Sequence, residues 1–203
     1  MPSKVRVGLI GLSTSSTTSS WAVRAHLPYL QSPHGQEHFE IVALCNSTIE
    51  SAKKHIEHFK LPSSTKAYAS SAELAADPNV DLVVCVVGVL NHYKLALPVV
   101  KAGKDIFIEI PMTLSPSEIG ELKKIAEEKG SKIILGAQGQ TSPVVGVVKD
   151  VVASGRFGKV LSTSFTGNLP YLGAKPLPVG FEVFTKKDQG SNMMTVAFFH
   201  SER

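Results

Sequence analysis

Short apolar runs alternate with helix-like segments along the first 137 residues, and this alternation constrains the fold more than any other feature of the sequence. Runs without a helical period, rich in β-branched residues, are typical of parallel strands that are covered on both faces. The pattern predicts strands at residues 5–12, 40–45, 81–87, 104–109 and 132–137, and helices at residues 21–30, 48–59, 70–76, 91–102 and 116–128. Because single helices that join parallel strands form right-handed crossovers, we predict an α/β fold with a doubly wound parallel sheet.

The pattern changes after Gly139. The sequence there predicts a helix at 143–153, a strand at 159–166, a loop-like stretch at 167–190 and a helix at 192–200. A loop of that length is uncommon inside a compact domain and indicates either a functional loop or missing structure. We therefore divide the chain into a doubly wound domain at residues 1–138 and the start of a second α/β domain at residues 139–203.

The composition is typical of a globular protein. Apolar residues make up 43% of the chain and charged residues 19%. No apolar run approaches the roughly 20 residues of a membrane-spanning helix, so no membrane association is expected. The formal net charge of +4 comes from scattered basic residues. We therefore expect no direct binding to nucleic acid, although the positive excess would help to attract an anionic ligand.

The two cysteines, Cys45 and Cys85, lie inside apolar runs, and the amino-terminal residues lack the features of a secretory signal. We expect buried, reduced thiols and a reducing compartment. The expected location is the cytoplasm, with the nucleus as the alternative if the protein is a regulator.

The loop after the first strand keeps only part of the glycine pattern that binds dinucleotides. That pattern, GxGxxG, lets backbone N–H groups approach a diphosphate at a helix N-terminus. Gly11 matches the first glycine, Ser13 stands in place of the second, and Ser20 lies near the place of the third after an insertion. Because hydroxyl groups can donate to phosphate, we predict that the loop from Leu12 to Trp21 binds NAD or NADP. The alternative is an ordinary solvent-exposed turn.

The second strand ends at Cys45, and no acid follows in Asn46, Ser47 or Thr48. A carboxylate at this position normally accepts the ribose hydroxyls of NAD. Without it the repulsion of a 2′-phosphate disappears, which favours NADP or weak discrimination between the two cofactors. Alternatively, Asn46 only caps the following helix.

Glu109 ends a strand at the same edge of the sheet as Gly11 and is followed by Ile110 and Pro111. Proline fixes its own φ and restricts the preceding residue to extended geometry. His92 opens the preceding helix, near the same crevice. The alternatives are a solvated or capping acid and a structural histidine. We predict no metal site, and the predicted cofactor-binding residues are Gly11, Leu12, Ser13, Ser20, Trp21, Asn46, Ser47, His92 and Glu109.

Three segments resemble the glucose-fructose oxidoreductase and inositol dehydrogenase family (Gfo/Idh/MocA): VRVGLIGL, VDLVVCVVGVLNHYKLALPVVKAGKDIFIEIP and SGRFGKVLS. Two others, WAVRAHLPYL and GAQGQTSP, are similar to its fungal branch, which includes the yeast galactose-pathway repressor. The resemblance implies an N-terminal Rossmann domain that binds NAD(P), followed by an α/β domain that carries the substrate pocket and the oligomer contact. It also implies that the chain ends early in that second domain, and that the protein forms a homo-oligomer.

Enzymes of this family transfer a hydride between nicotinamide and a sugar or polyol carbon, and the lysine of a Glu-Lys-Pro motif moves the proton. Here Ile110 occupies the lysine position, so the resemblance leaves Glu109 and His200 as the catalytic candidates. Proton transfer by a side chain typically contributes about 10² to 10⁴ in rate, and isoleucine cannot supply it.

Three functions are compatible with these observations. The first is an NAD(P)-dependent oxidoreductase that acts on a small metabolite such as a sugar, a polyol or a biosynthetic-pathway alcohol or carbonyl compound. The second is a non-catalytic, dinucleotide-sensing transcriptional regulator that binds a protein partner. The third is an inactive, truncated remnant of a longer enzyme.

Overall fold

The computed structural model describes residues 3–14 and 20–164, and the chain divides into two units, residues 1–135 and 136–203. The first unit contains a six-stranded parallel sheet with the strand order β3-β2-β1-β4-β5-β6. This is the order of a doubly wound Rossmann fold, and it confirms the predicted fold class. The strands are β1 Val5–Ile10, β2 Phe39–Cys45, β3 Lys66–Tyr68, β4 Leu82–Cys85, β5 Asp105–Ile108 and β6 Ile133–Leu135.

Hydrophobic side chains cover both faces of this sheet, as the apolar strands predicted. On one face, Val7 and Leu9 of β1 pack in a cluster with Leu44 of β2. On the other face, Ile10 lies in a cluster with Val83 and Ile106. A central strand buried on both sides leaves its carboxyl end as the place where loops can form a site.

The helices of the first unit are α1 Leu27–Leu30, α2 Pro33–His38, α3 Ile49–His58, α4 Ser71–Ala76, α5 His92–Lys101 and α6 Pro116–Lys129. Thr48 caps α3 by accepting the N–H of Ser51 at 3.0 Å. Gly130 ends α6 in the left-handed conformation, with φ of +69°. These two ends lie within one residue of the predicted bounds, and both are ends that such capping residues stabilise.

The predicted helix at 21–30 is divided into two parts. Its first part, Ala22–His26, is a π-helical turn in which the N–H of Leu27 bonds to the carbonyl of Ala22. Pro28 lies at the start of α1. Proline lacks an N–H and clashes with the carbonyl four residues before it, and wider π pairing accommodates such a residue.

Two elements of the first unit were missed. The short helix α2 has the sequence PHGQEH, which has no apolar period, and β3 is three residues long. Neither element contains the apolar run of a buried strand or the apolar period of a buried helix face, which are the signals that the other elements provide.

The second unit is described from residue 136 to residue 164. A 3₁₀ turn at Gln138–Thr141 leads to the helix α7, Pro143–Ala153, whose bounds match the prediction. Residues 159–164 form no strand, contrary to the strand predicted at 159–166. A strand needs a hydrogen-bonded neighbour, and the described residues provide none for this segment. The predicted helix at 192–200 lies outside the described residues, and within the described part no helix is long and apolar enough to cross a membrane.

Candidate functional site

Gly11 lies directly after β1, where the chain passes very close to the loop after β4. Its φ is +98°, and its N–H donates to the carbonyl of Cys45 at 3.1 Å. A Cβ atom at this position would overlap the carbonyl oxygen of Val86 and approach a methyl group of Val87 to 2.6 Å. Only glycine combines this conformation with this contact. The first glycine of the predicted motif is therefore required by the crossing of two loops.

A cavity of about 660 Å³ opens beside Gly11, at the carboxyl ends of β1, β2 and β3. It lies next to the point where the strand order reverses between β1 and β4, the usual ligand site of this fold. Among the described residues that line it, none is acidic and Lys94 of α5 is the only cation. The polar residues around it are Ser13, Asn46, Ser47, Ser51, Ser70, Ser71, Asn91 and Lys94.

Asn46 connects the end of β2 to the loop after β1. Its side-chain amide donates to the carbonyl of Leu12 at 2.9 Å, and its backbone N–H donates to the carbonyl of Tyr68 at 3.1 Å. The cap of the next helix is Thr48, so the alternative role of Asn46 as a helix cap is wrong. Asn46 instead fixes the first residues of the loop against the sheet.

His55 of α3 holds the same loop from the other side. Its Nε2 accepts the N–H of Thr14 at 3.1 Å, while its Nδ1 donates to the carbonyl of Ser51 at 2.7 Å, an assignment based on the hydrogen-bond network. The ring is buried and stacks on Phe59. The backbone N–H of Thr14 is therefore already bonded to the protein, and His55 fixes this residue of the loop against α3.

The structure brings four of the predicted cofactor residues together around the cavity: Gly11, Ser13, Asn46 and Ser47. Leu12 is instead a core residue, 1% exposed. Ser20 accepts the N–H groups of Val23 and Arg24 through its carbonyl and so starts the π-helical turn, next to the exposed Trp21. Ser20 and Trp21 are not among the described residues that line the cavity.

His92 is buried between two loops. Its Nδ1 lies 2.9 Å from the carbonyl oxygen of Pro111 and its Nε2 lies 3.0 Å from that of Val87. Both ring nitrogens therefore face backbone acceptors. His92 connects the loop after β4 to the loop after β5, and it does not line the cavity.

Glu109 follows β5 and forms a close pair with His26 of the π-helical turn. The two side chains are only 15% and 18% exposed, and Glu109 Oε1 lies 2.6 Å from His26 Nε2. The edge of the His26 ring also meets Phe107, with 5.2 Å between ring centroids. The next residue, Ile110, carries no ionisable group. This pair places an imidazole and a carboxyl group within hydrogen-bond distance at the carboxyl end of β5, and both are groups that can transfer protons.

His26 was not among the residues predicted from the sequence. It shares the inner face of its helix with Ala22 and Leu30, both buried, at spacings of four residues. An imidazole on an otherwise apolar helix face is the signal that would have identified it. The other catalytic candidate, His200, lies outside the described residues.

The two cysteines are free and buried, as predicted. Burial raises the pKa of the Cys45 thiol to about 11, with a smaller contribution from Glu73, and burial raises that of Cys85 to about 12. Although Cys45 lines the cavity, it is a neutral thiol at physiological pH and therefore not an activated nucleophile.

Residues 5–137 match the model of an oxidoreductase family with an NAD-binding Rossmann fold, GFO_IDH_MocA. The chain is 26% identical to the galactose/lactose metabolism regulatory protein GAL80 of Saccharomyces cerevisiae, over 97% of this chain and 45% of that protein. It is 29% identical to the dehydrogenase aclE of Aspergillus oryzae, over 98% of this chain and 53% of that protein. The chain thus spans about half the length of these relatives.

Solved structures show the same fold. A super-repressor mutant of Gal80p from Saccharomyces cerevisiae matches with a TM-score of 0.81 at 24% identity, over 98% of this chain and 51% of that chain. The 3-ketoreductase KijD10 of Actinomadura kijaniata, solved in complex with NADP, matches with a TM-score of 0.61 at 23% identity, over 77% of this chain and 46% of that chain.

Proposed function

The chain belongs to the Gfo/Idh/MocA oxidoreductase family, as its resemblance predicted, and from this premise we propose that the cavity beside Gly11 binds a nicotinamide dinucleotide, with NADP preferred to NAD. The observation that carries the proposal is the lining of the cavity. Hydroxyl and amide groups and one lysine surround it, and no acid is among its described residues. An anionic ligand would meet donors there without repulsion.

The residues fit such a cofactor. A volume of about 660 Å³ lies within the range of small-molecule and cofactor sites. Gly11 and Ser13 would meet the diphosphate, and Asn46 and Ser47, at the end of β2, would meet the adenosine ribose. Lys94 would provide a positive charge for a 2′-phosphate.

When bound, the nicotinamide donates or accepts a hydride. We propose a substrate among small metabolites: a sugar, a polyol, or a biosynthetic-pathway alcohol or carbonyl compound. Because Ile110 cannot carry a proton, we assign that task to the pair of Glu109 and His26. Their close contact at the carboxyl end of β5 allows a proton to be held by either group. We further propose a cytoplasmic protein that forms a homo-oligomer.

The second candidate is a dinucleotide-sensing regulator that binds a protein partner, in the cytoplasm or nucleus. The observation that favours it is Ile110, which removes an ionisable group from the carboxyl edge without disturbing the cavity. Similarity to the galactose/lactose regulatory protein over 97% of this chain also supports it.

Titration of the purified protein with NADPH and NADH, followed by the fluorescence of its single tryptophan, Trp21, tests the binding proposal. Tighter binding of NADPH is expected, and absence of binding to either nucleotide would reject it. Turnover assays with sugars, polyols and aldehydes then separate the two candidates. An enzyme turns over at least one substrate class, whereas a regulator binds the nucleotide without turnover. In that second case the Ile110→Lys variant is expected to gain activity.

A further inference from the structure

Two histidines and a glutamate lie together on α2, far from the proposed nucleotide cavity. They are His34, Glu37 and His38, and all three are exposed. The helix leads directly into the first residue of β2, at the amino end of the sheet, whereas the cavity lies at the carboxyl ends of the strands. At about 3.3 Å per residue, the length of β2 separates the two places by roughly 20 Å.

The spacing of these residues directs their side chains to one face of the helix. Positions i, i+3 and i+4 are neighbours on a helix surface. One possible ligand atom from each residue lies within 4.8 Å of the other two, and His34 Nδ1 is 3.7 Å from Glu37 Oε2. The two imidazole rings are 5.1 Å apart between centroids. Bonds of about 2.0–2.1 Å around a tetrahedral zinc ion require ligand atoms about 3.3 Å apart, which exposed side chains reach by small rotations.

The helix that carries them is short but held at both ends. Ser32 caps it by accepting the N–H of Gly35 at 3.0 Å, and Pro33 stands at its first position. Gly35 is buried against the carbonyl of Tyr29, where a Cβ atom would not fit. The N–H of Phe39 bonds to the carbonyl of Gly35 at the other end. The ligand-bearing face is therefore presented from a fixed backbone.

We propose that His34, Glu37 and His38 form a binding site for a divalent first-row transition-metal ion such as Zn²⁺ or Cu²⁺, with water completing the coordination. Two imidazoles and one carboxylate suit these ions, whereas Mg²⁺ and Ca²⁺ prefer oxygen ligands alone. The carboxylate also offsets one charge of the ion. The sequence suggested no metal site, because these residues lie in a segment where no helix was predicted.

Isothermal titration of the metal-free full chain with ZnCl₂, CuCl₂ and MgCl₂ tests the proposal. One Zn²⁺ per chain is expected to bind, Cu²⁺ is expected to bind more tightly, and Mg²⁺ is expected not to bind. His34→Ala and His38→Ala should each weaken Zn²⁺ binding at least about tenfold, comparable to losses on removing supporting groups at metal sites. Glu37→Gln should have a smaller effect.

The matched control is His58→Ala, which removes another exposed histidine that belongs to no such group in the described part of the chain. It should leave Zn²⁺ affinity unchanged. Zn²⁺ should also raise the melting temperature of the parent but not of His34→Ala or His38→Ala. Absence of Zn²⁺ binding, binding unchanged in both variants, or an equal loss in His58→Ala would overturn the proposal. NADPH binding should be unaffected by His34→Ala, so this test is independent of the nucleotide site.

Discussion

The two halves of the carboxyl edge of the sheet differ in the side chains that they present. The half beside β1 and β2 has a roomy cavity lined by hydroxyls, amides and one lysine. The half at the end of β5 has an apolar residue, Ile110, next to a paired acid, Glu109. In the proposed function, binding of a nucleotide and transfer of a proton therefore depend on different residues of one edge, so that a substitution can alter one without the loss of the other.

The largest effect is expected on the turnover rate, when a variant loses the proton-transfer group but keeps the nucleotide cavity. His26→Gln keeps a polar side chain but removes the proton carrier that contacts Glu109. If the pair serves turnover, the rate should fall about 10²- to 10⁴-fold while NADPH affinity stays the same. Steady-state kinetics and fluorescence titration measure the two quantities.

His58→Gln, on the exposed face of α3, is the control for His26→Gln and should change neither quantity. The remaining activity of His26→Gln should also lose part of its dependence on pH, which a purely structural defect would not cause. Full turnover by His26→Gln would remove the pair from the mechanism.

The next largest effect is expected on stability and NADPH binding, from a substitution in the half of the edge beside β1 and β2. Gly11→Ala places a methyl group against the carbonyl of Val86 in a left-handed backbone conformation. Strain and overlap together should lower the free energy of unfolding by about 3 kcal/mol and weaken NADPH binding. Gly88→Ala is the control, because a Cβ atom there meets nothing within 4 Å. Chemical denaturation measures both variants, and equal stability of the two would contradict the close approach at Gly11.

A smaller effect is expected for cofactor choice. Ser47→Asp adds a carboxylate at the end of β2, where it would repel a 2′-phosphate and accept the ribose hydroxyls of NAD. The ratio of NADPH to NADH affinity should fall about tenfold, equivalent to about 1.4 kcal/mol. Ser64→Asp adds the same charge at an exposed position away from the cavity and should leave the ratio unchanged. An equal change in both variants would mean that net charge, not ribose recognition, determines the preference.

The smallest effect concerns the support of the cavity by β3. Asp77 accepts hydrogen bonds from the Tyr68 hydroxyl at 2.7 Å, the Asn79 N–H at 2.8 Å and the Lys66 ammonium at 2.9 Å. These bonds, that of Tyr68 first, hold the pKa of the Asp77 carboxyl well below its ordinary value. Burial and the bond to Asp77 raise the pKa of Tyr68 to about 12.

The signs of these pKa shifts predict two separate losses of stability. The contribution of the Asp77 carboxylate to the free energy of unfolding is fully present above its unfolded pKa of about 3.9. It decreases as the pH falls below that value. The contribution of Tyr68 is present below about pH 10 and decreases as the pH rises from about 10 towards 12. Denaturation curves across pH measure both, and Tyr68→Phe should flatten the alkaline side. An unchanged alkaline slope in that variant would exclude Tyr68 as its source.

Local patterns were sufficient for most of the fold because they report burial directly. Apolar runs predicted five of the six strands, and the helices predicted at 48–59 and 70–76 correspond to α3 and α4. The patterns failed where an element has no apolar run or helical apolar period, as in β3 and α2. Four of the residues predicted to bind a cofactor, Gly11, Ser13, Asn46 and Ser47, meet at one cavity, and their role in binding stays a prediction.

The sequence by itself determined the alternation of strands and helices, the glycine at the first turn and the apolar residue, Ile110, that follows Glu109. Only the tertiary structure decided that His26 contacts Glu109, that His55 holds the loop at Thr14, and that His92 is occupied by two backbone carbonyls. His26 and Glu109 are 83 positions apart in the chain. Side-chain periodicity records which face of an element is buried. Contacts between residues far apart in the chain depend instead on which strands lie next to each other in the sheet.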